Sequence, residues 1–137
     1  MKKFFSVQPV WLDGGLFLIR VILGFFMAFH GWEIFDKAKM DEYAAWDIFK
    51  NAGSPAFLVY LGKLAELAGG ILLMLGWLTR LGALMIAITM ACIALFVGNG
   101  KIWYEDQHPF MFVLLALVFF FAGPGRYSAD AARTSKK

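Results

Sequence analysis

Between Gly62 and Trp77 the chain reads GKLAELAGGILLMLGW, apolar on nearly every face yet carrying Lys63 and Glu66 one turn apart. No other stretch limits the fold so strongly. With the residues before it, it has the length and character of a membrane span. A charged side chain at mid-bilayer costs roughly 2.5–3.5 kcal/mol on insertion scales. The rest of the chain must supply groups that compensate these two.

Composition removes the alternative of a water-soluble core. Hydrophobic residues make up 61% of the chain and charged residues 17%, against about 45–50% apolar, glycine included, and about 25% charged in soluble domains. A length of 137 residues suits one domain, 1–137. The net charge of +3 is carried mainly by basic residues near the two ends, where a cytoplasmic membrane face places them. No basic stripe lies along a helix, so nucleic acid is excluded as a partner. Cys92 is the sole cysteine and has no internal disulfide partner. The opening MKKFFSVQPVW lacks the short apolar region and small-residue cleavage site of a removed signal. It reads as an interfacial lead-in, with Lys2 and Lys3 toward headgroups and Phe4, Phe5 and Trp11 at the boundary.

Four apolar spans are expected, at about 14–35, 56–77, 81–98 and 109–122. Between the first two lies the polar segment DKAKMDEYAAWDIFKNAGSP, expected as an amphipathic surface helix over Asp41–Lys50 that is broken before Pro55. Small residues mark packing faces: Gly24, Ala28 and Gly31 on the first span; Gly62, Ala65, Gly69 and Gly76 on the second; Ala83, Ala87, Ala91, Ala94 and Gly98 on the third. Lys63, Glu66 and Gly70 share a neighbouring face of the second span. A turn at Leu78-Thr79-Arg80 makes spans two and three antiparallel neighbours, and Gly123-Pro124-Gly125 ends the fourth. The expected fold is all-α, an antiparallel four-helix transmembrane bundle with a short amphipathic segment between helices one and two.

With four spans both termini share a side with Arg80. That side holds Lys2, Lys3, Arg80, Arg126, Arg133, Lys136 and Lys137; the other holds Lys37, Lys39, Lys50 and Lys101. The positive-inside rule places both termini in the cytoplasm.

At about 1.5 Å of rise per residue, His30, Lys63 and Glu66 fall in one layer of the bilayer, with Arg20 reaching toward Glu66 from the other side. A carboxylate facing two cations and an imidazole offsets much of the desolvation each would suffer alone. Such a cluster can simply lock two helices, since interhelical polar contacts average about 0.6 kcal/mol. The default reading of intramembrane ionisable residues is nonetheless a pathway or ligand site, so Arg20, His30, Lys63 and Glu66 are the candidate ligand-binding residues. No metal site is expected, because His108 falls in the outer loop and no other histidine joins His30. Cys92, between Ala91 and Ile93, reads as a packing residue.

Several motifs in order resemble the DoxX family of small bacterial membrane proteins. They are Arg20 in the first span; His30-Gly31-Trp32 near its end; Gly53-Ser54-Pro55; Glu66 with Gly69-Gly70; Leu75-Gly76-Trp77-Leu78-Thr79-Arg80; and Gly123-Pro124-Gly125-Arg126-Tyr127-Ser128 with Asp130. The lysine that the family carries just after His-Gly-Trp is displaced here: Glu33 lies within, and Lys37 follows. The resemblance implies a four-helix protein of the bacterial inner membrane, associated with membrane oxidoreductase systems. In some members it implies the membrane subunit of a thiosulfate:quinone oxidoreductase. On that reading a quinone is the cofactor, held in a polar pocket between helices one and two, where His30 and Glu66 change protonation. Electrons then require a second membrane or membrane-associated protein, since the chain has no embedded redox motif. The competing expectation is a non-catalytic accessory subunit that docks another membrane protein through its glycine and alanine stripes.

Overall fold

The computed structural model describes residues 7–49 and 51–135. The expectations on Lys2, Lys3, Phe4, Phe5, Lys50, Lys136 and Lys137 lie outside the described residues. All regular structure among the described residues is helical.

Helix α1 (Leu12–Gly31) is unbroken by proline, and its 20 residues run about 30 Å. The chain then tightens into a 3₁₀ turn, Trp32–Phe35. Asp36 caps the next helix, α2 (Lys37–Ala44), by accepting the Lys39 N–H at 3.2 Å. Helix α3 (Pro55–Leu75) starts with proline at its first position, where no N–H is needed. It ends in a Schellman motif: Gly76 sits at φ 66°, and Trp77 N–H and Gly76 N–H return to Leu72 O and Leu73 O. Helix α4 (Thr79–Cys92) continues as a π-helical turn, Ile93–Val97. Helix α5 (Gln107–Ala122) stops at Gly123, and the short α6 (Ala129–Thr134) is capped by the Ser128 hydroxyl.

The helices pack in chain order, α1 on α3, α3 on α4 and α4 on α5, with only slight contact between α1 and α5. The α1–α3 seam is backbone against backbone. A Cβ built on Gly24 would stand 2.6 Å from Gly70 O, and one on Gly31 would strike Leu67. Successive residues of α1 meet earlier and earlier residues of α3, so the two run in opposite directions. The α3–α4 seam is set by Gly69 against Gly82 and Ile86. The core is Leu23, Met27 and Leu73 with Ala83, Ile86, Ala87 and Met90 of α4 and Val113, Ala116 and Phe119 of α5. Most of the remaining apolar surface of the long helices faces outward.

Three helical stretches are long and apolar enough to cross a membrane: Leu12–Phe35, Pro55–Leu75 and Thr79–Val97. The fourth, α5, has 16 residues. That is about 24 Å, short of a hydrocarbon core of about 30 Å.

Local expectations shift in four places. The amphipathic helix is Lys37–Ala44, not Asp41–Lys50, because Asp36 caps it early; Asp47–Phe49 is a separate 3₁₀ turn. The turn between α3 and α4 is Gly76-Trp77-Leu78, with Thr79 and Arg80 already helical. Gly62 is not a packing glycine, since a Cβ there meets nothing within 4 Å. Gly69, Gly70 and Gly76 each serve a different neighbour: α4, α1, and Arg20 with Ser128.

Candidate functional site

Lys63 and Glu66 are consecutive along one face of α3, and α1 covers that face through Gly31 and Ala28. Lys63 Nζ lies 2.9 Å from Glu66 Oε2. The same ammonium lies 3.0 Å from Glu33 Oε2 and also donates to His30 O at 3.4 Å. Glu33 in turn holds Lys39 Nζ at 2.6 Å and accepts the Tyr43 hydroxyl at 3.0 Å. A continuous charged chain thus runs Glu66–Lys63–Glu33–Lys39, with two carboxylates balanced by two ammonium groups. The side chains open steadily along it, from 3% exposed at Glu66 through 15% at Lys63 and 23% at Glu33 to 46% at Lys39. One end is sealed in the helix packing and the other meets the surface.

The 3₁₀ turn makes this chain possible. Tightening the backbone after Gly31 turns Glu33 back toward α2 and α3. Glu33 was not among the residues expected in the site. The signal available was its position three residues after His30, on an apolar span with Lys37 and Lys39 following. Tyr43 adds a second contact, its ring 5.3 Å from Lys63 Nζ. Burial, and then the hydrogen bond to Glu33, push the Tyr43 phenol up, so it stays a donor. The hydrogen bond and charge of Glu33 hold the Lys39 ammonium up.

Of the four residues expected in one site, the structure brings Lys63 and Glu66 into direct contact and places the His30 backbone beside them. The His30 ring is exposed and packs edge-on to Phe29, 6.3 Å between centroids. Arg20 does not join them. Its guanidinium donates to Leu73 O, to Met74 O at 3.0 Å and to Tyr127 O at 2.7 Å. Leu73 lies seven residues beyond Glu66, about 10 Å along α3. The reach of Arg20 toward Glu66 is therefore corrected, and for a clear reason. The last carbonyls of α3 have no helical partners, and a buried cation at a helix C-terminus satisfies them and opposes the dipole.

That end of the molecule carries its own closure. The Asp130 carboxylate accepts Leu78 N–H, Thr79 N–H and the Thr79 hydroxyl, each at 2.9 Å. Asp13 accepts Arg126 N–H at 3.0 Å. Gly123–Thr134 is thus a strap tied to α1, the α3–α4 turn and the start of α4. At the opposite end Asp106, 8% exposed, accepts Asn99 N–H and Lys101 N–H at 2.8 and 2.9 Å and closes the loop after the π turn.

The seam between α1 and α3 is closed by direct backbone contact at Gly24, Gly31 and Gly70. An open surface cavity of about 570 Å³ lies beside the 3₁₀ turn, where Glu33 and Lys39 reach the surface. No group of three or more His, Cys, Asp or Glu close enough to hold a metal ion occurs among the described residues.

The sequence profile of one family, DoxX, matches residues 15–99. The chain belongs to the DoxX family. That matched stretch of DoxX sequence contains Arg20, the 3₁₀ turn and the whole charged chain, and it stops before α5 and the strap. Among relatives, "Inner membrane protein YqjF" of Escherichia coli (strain K12) is 30% identical over 136 residues, covering 90% of this DoxX chain and 95% of the relative. "Putative oxidoreductase CatD" of Bacillus subtilis (strain 168) is 31% identical over 97 residues, covering 66% of this chain and 69% of that one. No solved structure matches significantly.

Proposed function

We propose that this DoxX protein is an integral inner-membrane protein that serves a membrane redox system. In this reading the Glu66–Lys63–Glu33 chain exchanges protons between the helix packing and the surface. The observation that carries the reading is the unbroken sequence of contacts at 2.9, 3.0 and 2.6 Å from a carboxylate 3% exposed to an ammonium 46% exposed. A structural pair needs only two groups; four groups graded in exposure form a path. Titratable groups in contact along such a path are what proton relays within membranes use.

The redox side of the reading draws on CatD, a relative named as an oxidoreductase, and the membrane side on YqjF, a relative named as an inner membrane protein. The chemistry that fits both is a quinone-type carrier. Its reduction takes up two electrons and two protons, and a partner protein supplies the electrons. In this reading Glu66 and Lys63 are the groups that handle those protons. Arg20 holds the far end of α3 in register. We also propose that α5 spans the membrane with the other three helices as an antiparallel four-helix bundle. Both termini then lie in the cytoplasm, as the excess of Lys and Arg at that end supports.

Purification in mild detergent, with analysis of co-purifying quinone and protein, tests this. The expected result is bound quinone in the parent protein and its loss in correctly inserted Glu66→Gln and Lys63→Met variants. Equal quinone content in parent and variants would refute it. A stoichiometric protein partner without quinone would favour the accessory-subunit reading, which the outward-facing small residue Gly62 supports.

A further inference from the structure

The cavity beside the 3₁₀ turn has walls of two kinds. Phe29, Trp32 and Phe35 line it, and Trp32 and Phe35 meet edge to face at 4.9 Å. Both signs of charge line it as well: Glu33 and Asp36, Lys37 and Lys39. The three aromatic residues are 65–69% exposed, which is much for side chains of this size. Glu33 and Lys39 are committed to each other. Asp36 uses Oδ1 as the α2 cap. Lys37 pairs with Asp41 at 2.7 Å, both side chains well exposed. The charges that face outward thus carry opposite signs one residue apart.

The cavity also continues into an apolar track. Leu18, Ile22, Phe25 and Phe29 are exposed at spacings of three and four residues down one side of α1, with Phe25 stacked on Phe29. The track leads from the charged mouth into the depth of the span.

We propose that this cavity binds the headgroup of a zwitterionic phospholipid of the ethanolamine class, with its acyl chains along the α1 track. The ammonium lies over the Trp32 and Phe35 rings beside Asp36, where an aromatic face and a carboxylate both favour a cation. The phosphate lies against Lys37. An anionic lipid would bring no cation to the aromatic wall and would set a second negative charge against Asp36. This site does not depend on what the Glu66 chain carries; it uses the outer wall of the same turn.

Native mass spectrometry of the full-length protein in detergent tests it, with phosphatidylethanolamine and phosphatidylglycerol of matched chains added in equal amounts. The expected result is preferential retention of phosphatidylethanolamine. Trp32→Ala and Asp36→Asn are each expected to cut that preference about two- to fivefold, the size of one cation–π contact at an exposed site. Phe121→Ala, on the outward face of α5, is expected to leave it unchanged, and helix content and melting of each variant check its fold. Equal retention of the two lipids would overturn the proposal, as would a preference that survives in both variants. Displacement of bound lipid by a short-chain quinone analogue, without headgroup preference, would assign the cavity to the carrier and overturn it as well.

Discussion

Asp130 and Thr79, 51 residues apart in sequence, are joined twice: one carboxylate oxygen accepts both the Thr79 backbone N–H and its hydroxyl at 2.9 Å. The other oxygen takes Leu78 N–H, which helps hold Leu78 in a left-handed conformation at φ 47°. A distant carboxylate thus performs the task of a local N-cap. Leu78 stands at the N-cap position of α4 and has no side-chain oxygen to offer.

Asp130→Ala is expected to destabilise the protein by about 1.5–3 kcal/mol, the range for hydrogen bonds to a charged group. Burial alone would raise the Asp130 carboxyl, but the Thr79 N–H, the Thr79 hydroxyl and the Leu78 N–H outweigh it and hold it low. A depressed folded value means the strap's contribution is complete above the unfolded aspartate value of roughly 3.9. It is lost as pH falls through the lower folded value. Melting curves against pH should therefore show an acid-side loss of stability in the parent that is smaller in Asp130→Asn.

The α3–α4 turn contains two residues with positive φ, Gly76 and Leu78. At Gly76 a side chain would meet Ser128 Cβ at 2.6 Å and crowd the Arg20 guanidinium, so Gly76→Ala should be strongly destabilising. Leu78 is 42% exposed, and its left-handed conformation costs roughly 1–2 kcal/mol. Leu78→Gly should raise the melting temperature, or at worst leave it level. The turn's hydrophobic motif was legible; the reason for each residue in it was not, because the strap that reads the turn comes from the other end of the chain.

Gly70 and Gly62 make a matched test of the helix seam. Gly70→Ala would drive a methyl into the Ala28 backbone, force α1 and α3 apart and reduce the melting temperature by many degrees. Gly62→Ala meets open space, and alanine's better helix propensity, about 1 kcal/mol, should make it neutral or stabilising. The sequence put Gly62 on one packing face with Gly69, yet only Gly69 of that pair meets a neighbouring helix. Periodicity gives the face of a helix, not whether a neighbour covers it.

Lys63→Met leaves Glu66 and Glu33 facing each other without their shared cation. Removing one partner of a buried pair costs about 3–5 kcal/mol; the partial exposure of Lys63 puts this case toward the low end. Replacing both partners, as Lys63→Met with Glu66→Leu, should recover most of that loss. A double-mutant cycle by thermal unfolding in detergent measures the difference.

The sequence made the helical class, the small-residue faces of α1 and α3 and the Lys63–Glu66 pair readable, because each depends on residues within a few turns of one another. Three features were out of reach. Arg20 was assigned to Glu66 by depth alone, when the unpaired carbonyls ending α3 were the nearer demand. Glu33 enters the site only because the backbone tightens to a 3₁₀ turn after Gly31, which no periodicity announces. The Asp130 clamp joins residues 51 and 52 positions apart. In each case a long-range hydrogen bond decided where a charge went.

The central claim is that Glu66 communicates with the surface through Lys63 and Glu33. Time-resolved infrared spectroscopy of the reconstituted protein, following the Glu66 carboxyl band after a pH jump, tests it most directly, with Glu66→Gln to assign the band and Glu33→Gln to interrupt the path. The account predicts a reversible Glu66 signal in the parent protein that slows markedly in Glu33→Gln. A Glu66 that never changes protonation while the protein stays folded would contradict it, as would a Glu66 that responds at the same rate without the Glu33 carboxylate.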